Sequence, residues 1–146
     1  MPDVPGPKKV RVEIQEINRR VIEQFRAGGE IEGMQRGRLL LLNTVGARTG
    51  LPRTTPMMFV RDGDRLLVIA SNIGAPQHPD WYLNLVAEPR VGVEVGDERY
   101  DAVAQTAQGE QREQLWAELL ASFPFFAEHQ QKTDRQIPLV LLTRVS

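Results

Sequence analysis

The stretch Leu39-Leu40-Leu41-Leu42-Asn43-Thr44-Val45-Gly46-Ala47-Arg48-Thr49-Gly50-Leu51-Pro52-Arg53-Thr54-Thr55-Pro56 joins an apolar run to a glycine-bounded turn and then to a basic, hydroxyl-rich segment. An unbroken run such as Leu39 to Leu42 reads as a strand buried on both faces. Gly46 and Gly50 mark where a tight turn reaches φ > 0 without steric cost. The hairpin end therefore gathers Arg48 and Arg53 with the hydroxyls of Thr49, Thr54 and Thr55. A guanidinium fork donates two parallel hydrogen bonds, and a glycine turn lets backbone amides reach the same oxygens, so the group is suited to a phosphate. The same residue types also suit a solvated turn, and no Walker or dinucleotide signature accompanies them; on residue types alone both readings stay open.

Downstream, Met57 and Phe59 continue a strand to Arg61, and Asp62-Gly63-Asp64 connects it to a second apolar run, Arg65 to Ser71. Asn72 to Pro79 is too rich in Gly and Pro to be regular, and Pro79 sits near the start of a short helix over 80–87 that Pro89 stops. A loop leaving a buried strand for a helix start exposes backbone amides, which makes Ser71 to Gly74 a second candidate ligand-facing segment; a plain connection is the blander alternative. Val91, Val93 and Val95 alternate, Gly96-Asp97 turns, and Tyr100 to Ala104 complete a hairpin. A helix from Glu110 carries Leu115, Trp116, Leu119 and Leu120 inward, Phe123-Pro124-Phe125-Phe126 ends or kinks it, and Ile137 to Leu142 is a closing strand.

Upstream, Val10, Ile14, Ile17, Val21 and Phe25 recur at helical steps until Gly28-Gly29, giving an amphipathic helix over 8–28 behind a Pro-rich tail over 1–7. Its polar face mixes both signs of charge, so it is expected to cover the core of its own domain rather than lie on a membrane surface. The expectation is one domain over 8–146: mainly β with flanking helices, about six mostly antiparallel strands curled into a split β-barrel. Such a barrel fills its interior with side chains, leaving a ligand to an outside groove.

Composition narrows the chemistry. The chain has no cysteine, so neither a disulfide framework nor a thiolate nucleophile exists, and its two histidines lie far apart, which argues against a metal site. Eighteen basic and nineteen acidic residues leave a net charge of −1, which gives no nucleic-acid footprint. The start lacks the apolar segment of a signal peptide and no run is long enough to cross a bilayer, so the expected location is cytoplasmic.

Taken in order, Asn43-Thr44-Val45-Gly46-Ala47-Arg48-Thr49-Gly50, Pro52-Arg53-Thr54-Thr55-Pro56, Arg61-Asp62-Gly63-Asp64, Ala70-Ser71-Asn72, Gly74-Ala75-Pro76, His78-Pro79-Asp80-Trp81-Tyr82-Leu83-Asn84-Leu85 and Thr133-Asp134-Arg135-Gln136-Ile137-Pro138 form a specific series. With it the chain resembles the deazaflavin-dependent nitroreductase family of actinobacteria over roughly residues 38–140. The resemblance implies an FMN-binding split-barrel-like fold and a bound 8-hydroxy-5-deazaflavin, coenzyme F420, with FMN the less favoured coenzyme. It implies hydride transfer from the reduced coenzyme to an electron-poor acceptor such as a quinone, an enone or a nitroaromatic.

Carried onto this sequence, the resemblance puts the coenzyme phosphate on Arg48 and Arg53 and the coenzyme lining on Thr49, Thr54, Thr55, Pro56 and Met57. It puts the ring beside Ala70, Ser71 and Asn72, and the short helix with Trp81, Tyr82 and Asn84 over it. Ser71 is the one candidate for a direct part in the chemistry. The chain also departs from its relatives: Ala47 stands where a second basic residue often precedes Arg48, and Asn72-Ile73 stands where some have Lys-Gly. Phe123, Phe126 and His129 occupy substrate-pocket positions where nitroreductases carry tyrosines. Losing those phenols makes the pocket more apolar and favours quinone-like acceptors over nitro prodrugs. The runner-up is a non-catalytic binding module of the same fold for a fatty acid, flavin or haem. The oligomeric state is expected to be monomer or homodimer.

Overall fold

The computed structural model describes residues 7–31 and 34–145, with side chains from residue 13 onward. The expected tail over 1–7 lies outside the described residues except for Pro7, which opens the first helix.

Seven strands form one sheet: β1 (Leu39–Val45), β2 (Pro52–Met58), β3 (Val60–Asp62), β4 (Arg65–Ile69), β5 (Arg90–Val95), β6 (Glu98–Thr106) and β7 (Leu139–Arg144). Their order is β2-β1-β5-β6-β7-β4-β3, and every pairing is antiparallel. The helices are α1 (Pro7–Arg26), α2 (Asp80–Ala87), α3 (Gly109–Ser122) and α4 (Phe125–Gln131). The mainly-β split-barrel expectation holds, with one strand more than the six expected. The strand expected to run to Arg61 is two, because β1 begins at Leu39, opposite Met58, and offers no partner beyond it. Phe59 instead donates its N–H to the Arg38 carbonyl at 3.2 Å, and from Val60 the chain pairs with β4. The two ends of the sheet order are thus joined through a single residue, which curls the sheet on itself.

The apolar runs split as strand alternation requires. Leu40, Leu42, Leu66, Val68, Val140 and Leu142 face an interior cluster with Val91, Val93, Val95 and Leu85. On the outside, Leu67, Leu139 and Leu141 pack under α3 and α4, while Leu39 and Leu41 pack with Val21, Phe25 and Ile31. Leu40, Leu41 and Leu42 are each 0% exposed, so the strand buried on both faces is present as expected.

The first helix corrects a second expectation. Among its described side chains, those that cover the core are in the C-terminal half: Val21 and Phe25 are buried, whereas Ile14 and Ile17 are about half exposed, at 50% and 53%. Val10 lies outside the described side chains. The helix is pinned at that buried end, where Arg36 donates to the Phe25 carbonyl at 2.8 Å with its guanidinium 4.4 Å from the Phe25 ring centre.

Candidate functional site

The turn between β1 and β2 is closed by its own backbone. Gly46 N–H donates to the Leu51 carbonyl and Gly50 N–H to the Gly46 carbonyl, both at 2.8 Å, while Leu51 N–H donates to Thr49 Oγ1 at 3.2 Å. Of the two glycines expected to reach φ > 0, only Gly50 does, at φ 69°; a Cβ on Gly46 would stand 2.7 Å from Thr49 Oγ1 and would displace the hydroxyl that accepts the Leu51 N–H. The turn is then tied to α2: buried Asn84 accepts the Ala47 N–H at 2.9 Å and donates to Thr44 Oγ1 at 3.3 Å. Asn84 therefore acts as a bracket between the short helix and the basic turn. Arg48 and Arg53 are exposed, and among the described residues neither has an ion-pair or hydrogen-bond partner.

Strand register divides the rest of this segment. Arg53, Thr55 and Met57 oppose Thr44, Leu42 and Leu40 and share their face, whereas Thr54 and Pro56 oppose Asn43 and Leu41 on the face toward α1. The Thr54 hydroxyl is committed there, donating to Asn43 Oδ1 at 2.5 Å. Asn43 donates to Glu94 Oε2 at 2.8 Å, and Arg26 grips both Glu94 oxygens, at 3.1 and 2.8 Å. The Arg26 hydrogen bonds hold the Glu94 carboxyl below the usual carboxylate range, against the opposing effect of burial. A contiguous lining from Thr54 to Met57 is thus not formed by one face; side-chain alternation leaves Thr54 and Pro56 with α1.

The second candidate segment leaves β4. Ala70 and Ser71 are buried, Asn72 is exposed, and the Ser71 hydroxyl makes no hydrogen bond among the described residues. Asn72, Ile73 and Gly74 then follow at φ 49°, 56° and 81°. Left-handed backbone at a β-branched residue costs on the order of 1–3 kcal/mol and persists only where its surroundings impose it. Those surroundings are Arg135, whose fork donates to the carbonyls of Ser71 at 2.7 Å, Ala75 at 3.0 Å and Ala70 at 3.1 Å. The same Nη1 approaches His78 Nδ1 at 3.1 Å. Burial, then the Arg135 charge, lowers the His78 pKa below the ordinary histidine value. Gln130 holds this segment in turn, donating to the Arg135 carbonyl at 2.8 Å and accepting the Ile137 N–H at 3.0 Å.

The two segments are linked through α2. Trp81 and Tyr82 are half-buried against the interior cluster, the Tyr82 hydroxyl lies 2.9 Å from Thr106 Oγ1, and the Tyr82 ring lies 4.9 Å from that of His78. The Arg48 turn is therefore connected to Arg135 and Ser71 by way of α2, which holds the turn through Asn84 and meets His78 through Tyr82. Of the expected substrate-pocket residues, Phe126 is 3% exposed and is core, packed with Leu115, Leu119 and Leu139. Phe123 packs partly against the same cluster, and His129 lies 5.6 Å from the Phe126 ring with its Nδ1 buried and unpartnered. Their helix abuts the left-handed turn, for a Cβ on Gly74 would stand 2.7 Å from the His129 carbonyl oxygen.

Open grooves of about 600, 440 and 420 Å³ border the β1–β2 hairpin through Thr44, Val45 and Pro52, α2 through Leu85 and Val86, and the end of α1 through Phe25 and Arg26; none of them is lined by Arg48, Arg53 or Ser71. Among the described residues no helix is long and apolar enough to cross a membrane, and no group of three or more His, Asp or Glu could hold a metal. Arg135 and His78 shape this segment although residue-level reasoning assigned neither a role; Gly74 lay within the candidate segment Ser71 to Gly74. Their partners lie up to 65 positions away, and no local pattern announces them. Unpartnered guanidinium groups beside a glycine turn form a donor set that fits a phosphorylated ligand.

A family model described as F420H(2)-dependent quinone reductase matches residues 10–144. A curated F420H(2)-dependent quinone reductase of Mycobacterium tuberculosis is 41% identical over 108 residues, covering 72% of each chain. A solved F420-H2 dependent reductase is 39% identical with a TM-score of 0.65, over 72% of this chain and 93% of its own. A structure described as a domain-swapped dimer is 35% identical with a TM-score of 0.68, over 94% of this chain and 99% of its own. A haem storage protein of Vibrio cholerae, at 22% identity and a TM-score of 0.53, shares the fold alone.

Proposed function

The chain belongs to the F420H(2)-dependent quinone reductase family, and from that membership we infer that it is an oxidoreductase that takes reduced coenzyme F420 and reduces a quinone-type acceptor. The observation that carries the reading to particular residues is the unpaired state of Arg48 and Arg53 beside a turn that Asn84 anchors. When bound, the coenzyme supplies a hydride to an electron-poor acceptor, and the protein supplies position, electrostatics and dryness.

In this reading Arg48 and Arg53 hold the coenzyme phosphate with Thr49 in the turn beside them, and Thr55 and Met57 line the approach from the face they share with Arg53. Thr54 and Pro56, which face α1, support that strand from behind. Ala70, Ser71 and Asn72 flank the ring, Trp81 and Tyr82 wall it, and the free Ser71 hydroxyl donates to negative charge that develops on transfer. Phe123 and His129 meet the acceptor, and the absence of phenols there favours an apolar quinone over a nitroaromatic. The non-catalytic alternative is not favoured, since the haem-protein likeness extends to the fold alone. A homodimer is the proposed assembly, suggested by the swapped dimer among the relatives, and the cytoplasm the proposed location.

Fluorescence titration with oxidised coenzyme F420 tests the reading. Each exposed guanidinium–phosphate contact is worth about 1–1.5 kcal/mol, so Arg48→Ala with Arg53→Ala should weaken binding roughly 30- to 150-fold. Unchanged affinity in the double variant overturns the assignment. Ser71→Ala should lower turnover more than about threefold; a smaller loss removes Ser71 from the chemistry.

A further inference from the structure

An arginine side chain committed to three backbone carbonyls and an imidazole, with no carboxylate among its partners, is doing something other than balancing charge. Arg135 meets Ala70, Ser71 and Ala75 with Nη1, Nη2 and Nε, so one planar fork spans both ends of the left-handed run Asn72–Gly74. A rigid fork is the side chain that can satisfy carbonyls on two sides of a turn at once; lysine, with a point charge on a flexible stem, cannot reproduce that spread. The side chain of Ile73, 72% exposed, contributes little packing that would hold its own backbone in place. The strain of the turn is therefore imposed from outside, by Arg135 on one side and by the close seat of Gly74 on α4 on the other.

The fourth contact adds a chemical consequence. Arginine donates and never accepts, so at 3.1 Å from Nη1 the Nδ1 of His78 is the acceptor, and the proton of the neutral ring resides on Nε2. We propose that Arg135 is the positioning residue of the reductase site: it clamps the Ser71 turn in its strained form and locks His78, whose ring is tilted 57° against that of Tyr82, as the Nε2–H tautomer. This rests on the proposed function for its catalytic consequence, and on geometry alone for the clamp and the tautomer.

The test uses the full chain, with Arg135→Lys and Arg135→Gln. The chain has only two histidines, so the His78 ring nitrogens are resolved readily by ¹⁵N-correlated NMR. The wild type should show a single Nε2–H tautomer at His78, which Arg135→Gln should convert to an exchanging mixture. Amide exchange at Gly74 and Ala75, whose N–H groups donate to the Ser71 and Asn72 carbonyls, should quicken at least tenfold in both variants. Because Arg48 and Arg53 are untouched, the dissociation constant for the coenzyme should stay within about threefold while kcat falls at least tenfold. A merely structural role would move both together with thermal stability. An unaltered His78 tautomer in Arg135→Gln, or unaltered exchange at Gly74 and Ala75, overturns the proposal. Should the wild type bind no coenzyme, the proposed function fails, and the NMR readouts still decide the clamp. If Arg135→Gln does not fold, Arg135→Lys, which keeps the charge and loses the fork, carries the exchange and kcat measurements, and wild-type values in it are equally fatal.

Discussion

Gly74→Ala is expected to destabilise the protein far more than an alanine at another left-handed glycine, and the structure supplies the control. Gly74 has φ +81° and Gly96 φ +58°, so an L-residue at either one pays left-handed strain of about 1–2 kcal/mol. The surroundings differ: a Cβ on Gly96 meets nothing within 4 Å, whereas on Gly74 it stands 2.7 Å from the His129 carbonyl oxygen and 2.8 Å from Lys132 Cβ. Neither neighbour is the loose end of a flexible side chain, and ordinary contact begins near 3.4 Å, so α4 must retreat by more than half an ångström. Overpacking of that kind adds about 1–3 kcal/mol. Gly96→Ala should therefore cost about 1–2 kcal/mol and Gly74→Ala about 2–5 kcal/mol, read from urea unfolding with matched m-values. Because α4 carries His129, Gly74→Ala should also disturb the aromatic contacts there, seen as a change in near-ultraviolet dichroism that Gly96→Ala lacks. Equal destabilisation by the two alanines would refute the reasoning, since strain alone would then explain both.

Ile73→Gly should stabilise the protein by about 0.5–1.5 kcal/mol, because relief of β-branched strain at φ 56° exceeds the entropic cost of glycine at a side chain that is 72% exposed; a drop in the urea midpoint would contradict this. Asn84→Ala removes the acceptor of Ala47 N–H and leaves the buried Thr44 hydroxyl without its partner, so it should cost about 1.5–3 kcal/mol and weaken coenzyme binding by loosening the basic turn, both checked on the same sample by denaturation and titration. Glu94 has a depressed carboxyl pKa in the folded state, so its contribution is fully present above the unfolded carboxylate value and is lost as pH falls through the folded one. Glu94→Gln should therefore flatten the acid limb of the stability curve below about pH 5 while destabilising the protein at neutral pH; an unchanged acid limb would show that Arg26 and Asn43 do not tune this group.

Much of the sheet was legible because its signals are local. Four leucines in a row need cover on both faces, and they have it, from α1 on one side and the interior cluster on the other. The hairpin turn at Gly96 and the end of α2 before Pro89 likewise follow from the residues that stand there. What escaped was set by partners elsewhere in the chain. The break at Phe59 exists because β1 has no residue left to pair with, a fact about the neighbouring strand rather than about the sequence Met58-Phe59-Val60. The half-exposed Ile14 and Ile17 follow the helical period as well as Val21 and Phe25 do; the body of the protein simply does not reach them.

The candidate site divides along the same line. Arg48 and Arg53 were visible as an anion kit because glycine, arginine and threonine crowd into one turn, and among the described residues neither guanidinium group has a partner. Thr54 carried the same hydroxyl chemistry in the same segment, yet it faces the other way and serves the Arg26–Glu94 network. Residue type identifies what a side chain can bind, and strand parity decides what it meets. Arg135 lies further from reach still, since a guanidinium in a loop near the C-terminus says nothing of carbonyls some 60 to 65 positions earlier. That separation also explains the design of the turn it holds. Asn72 tolerates left-handed backbone, but β-branched Ile73 does not, so the conformation at Ile73 is not encoded locally and is enforced by a distant fork, which couples the exit of β4 to the segment entering β7.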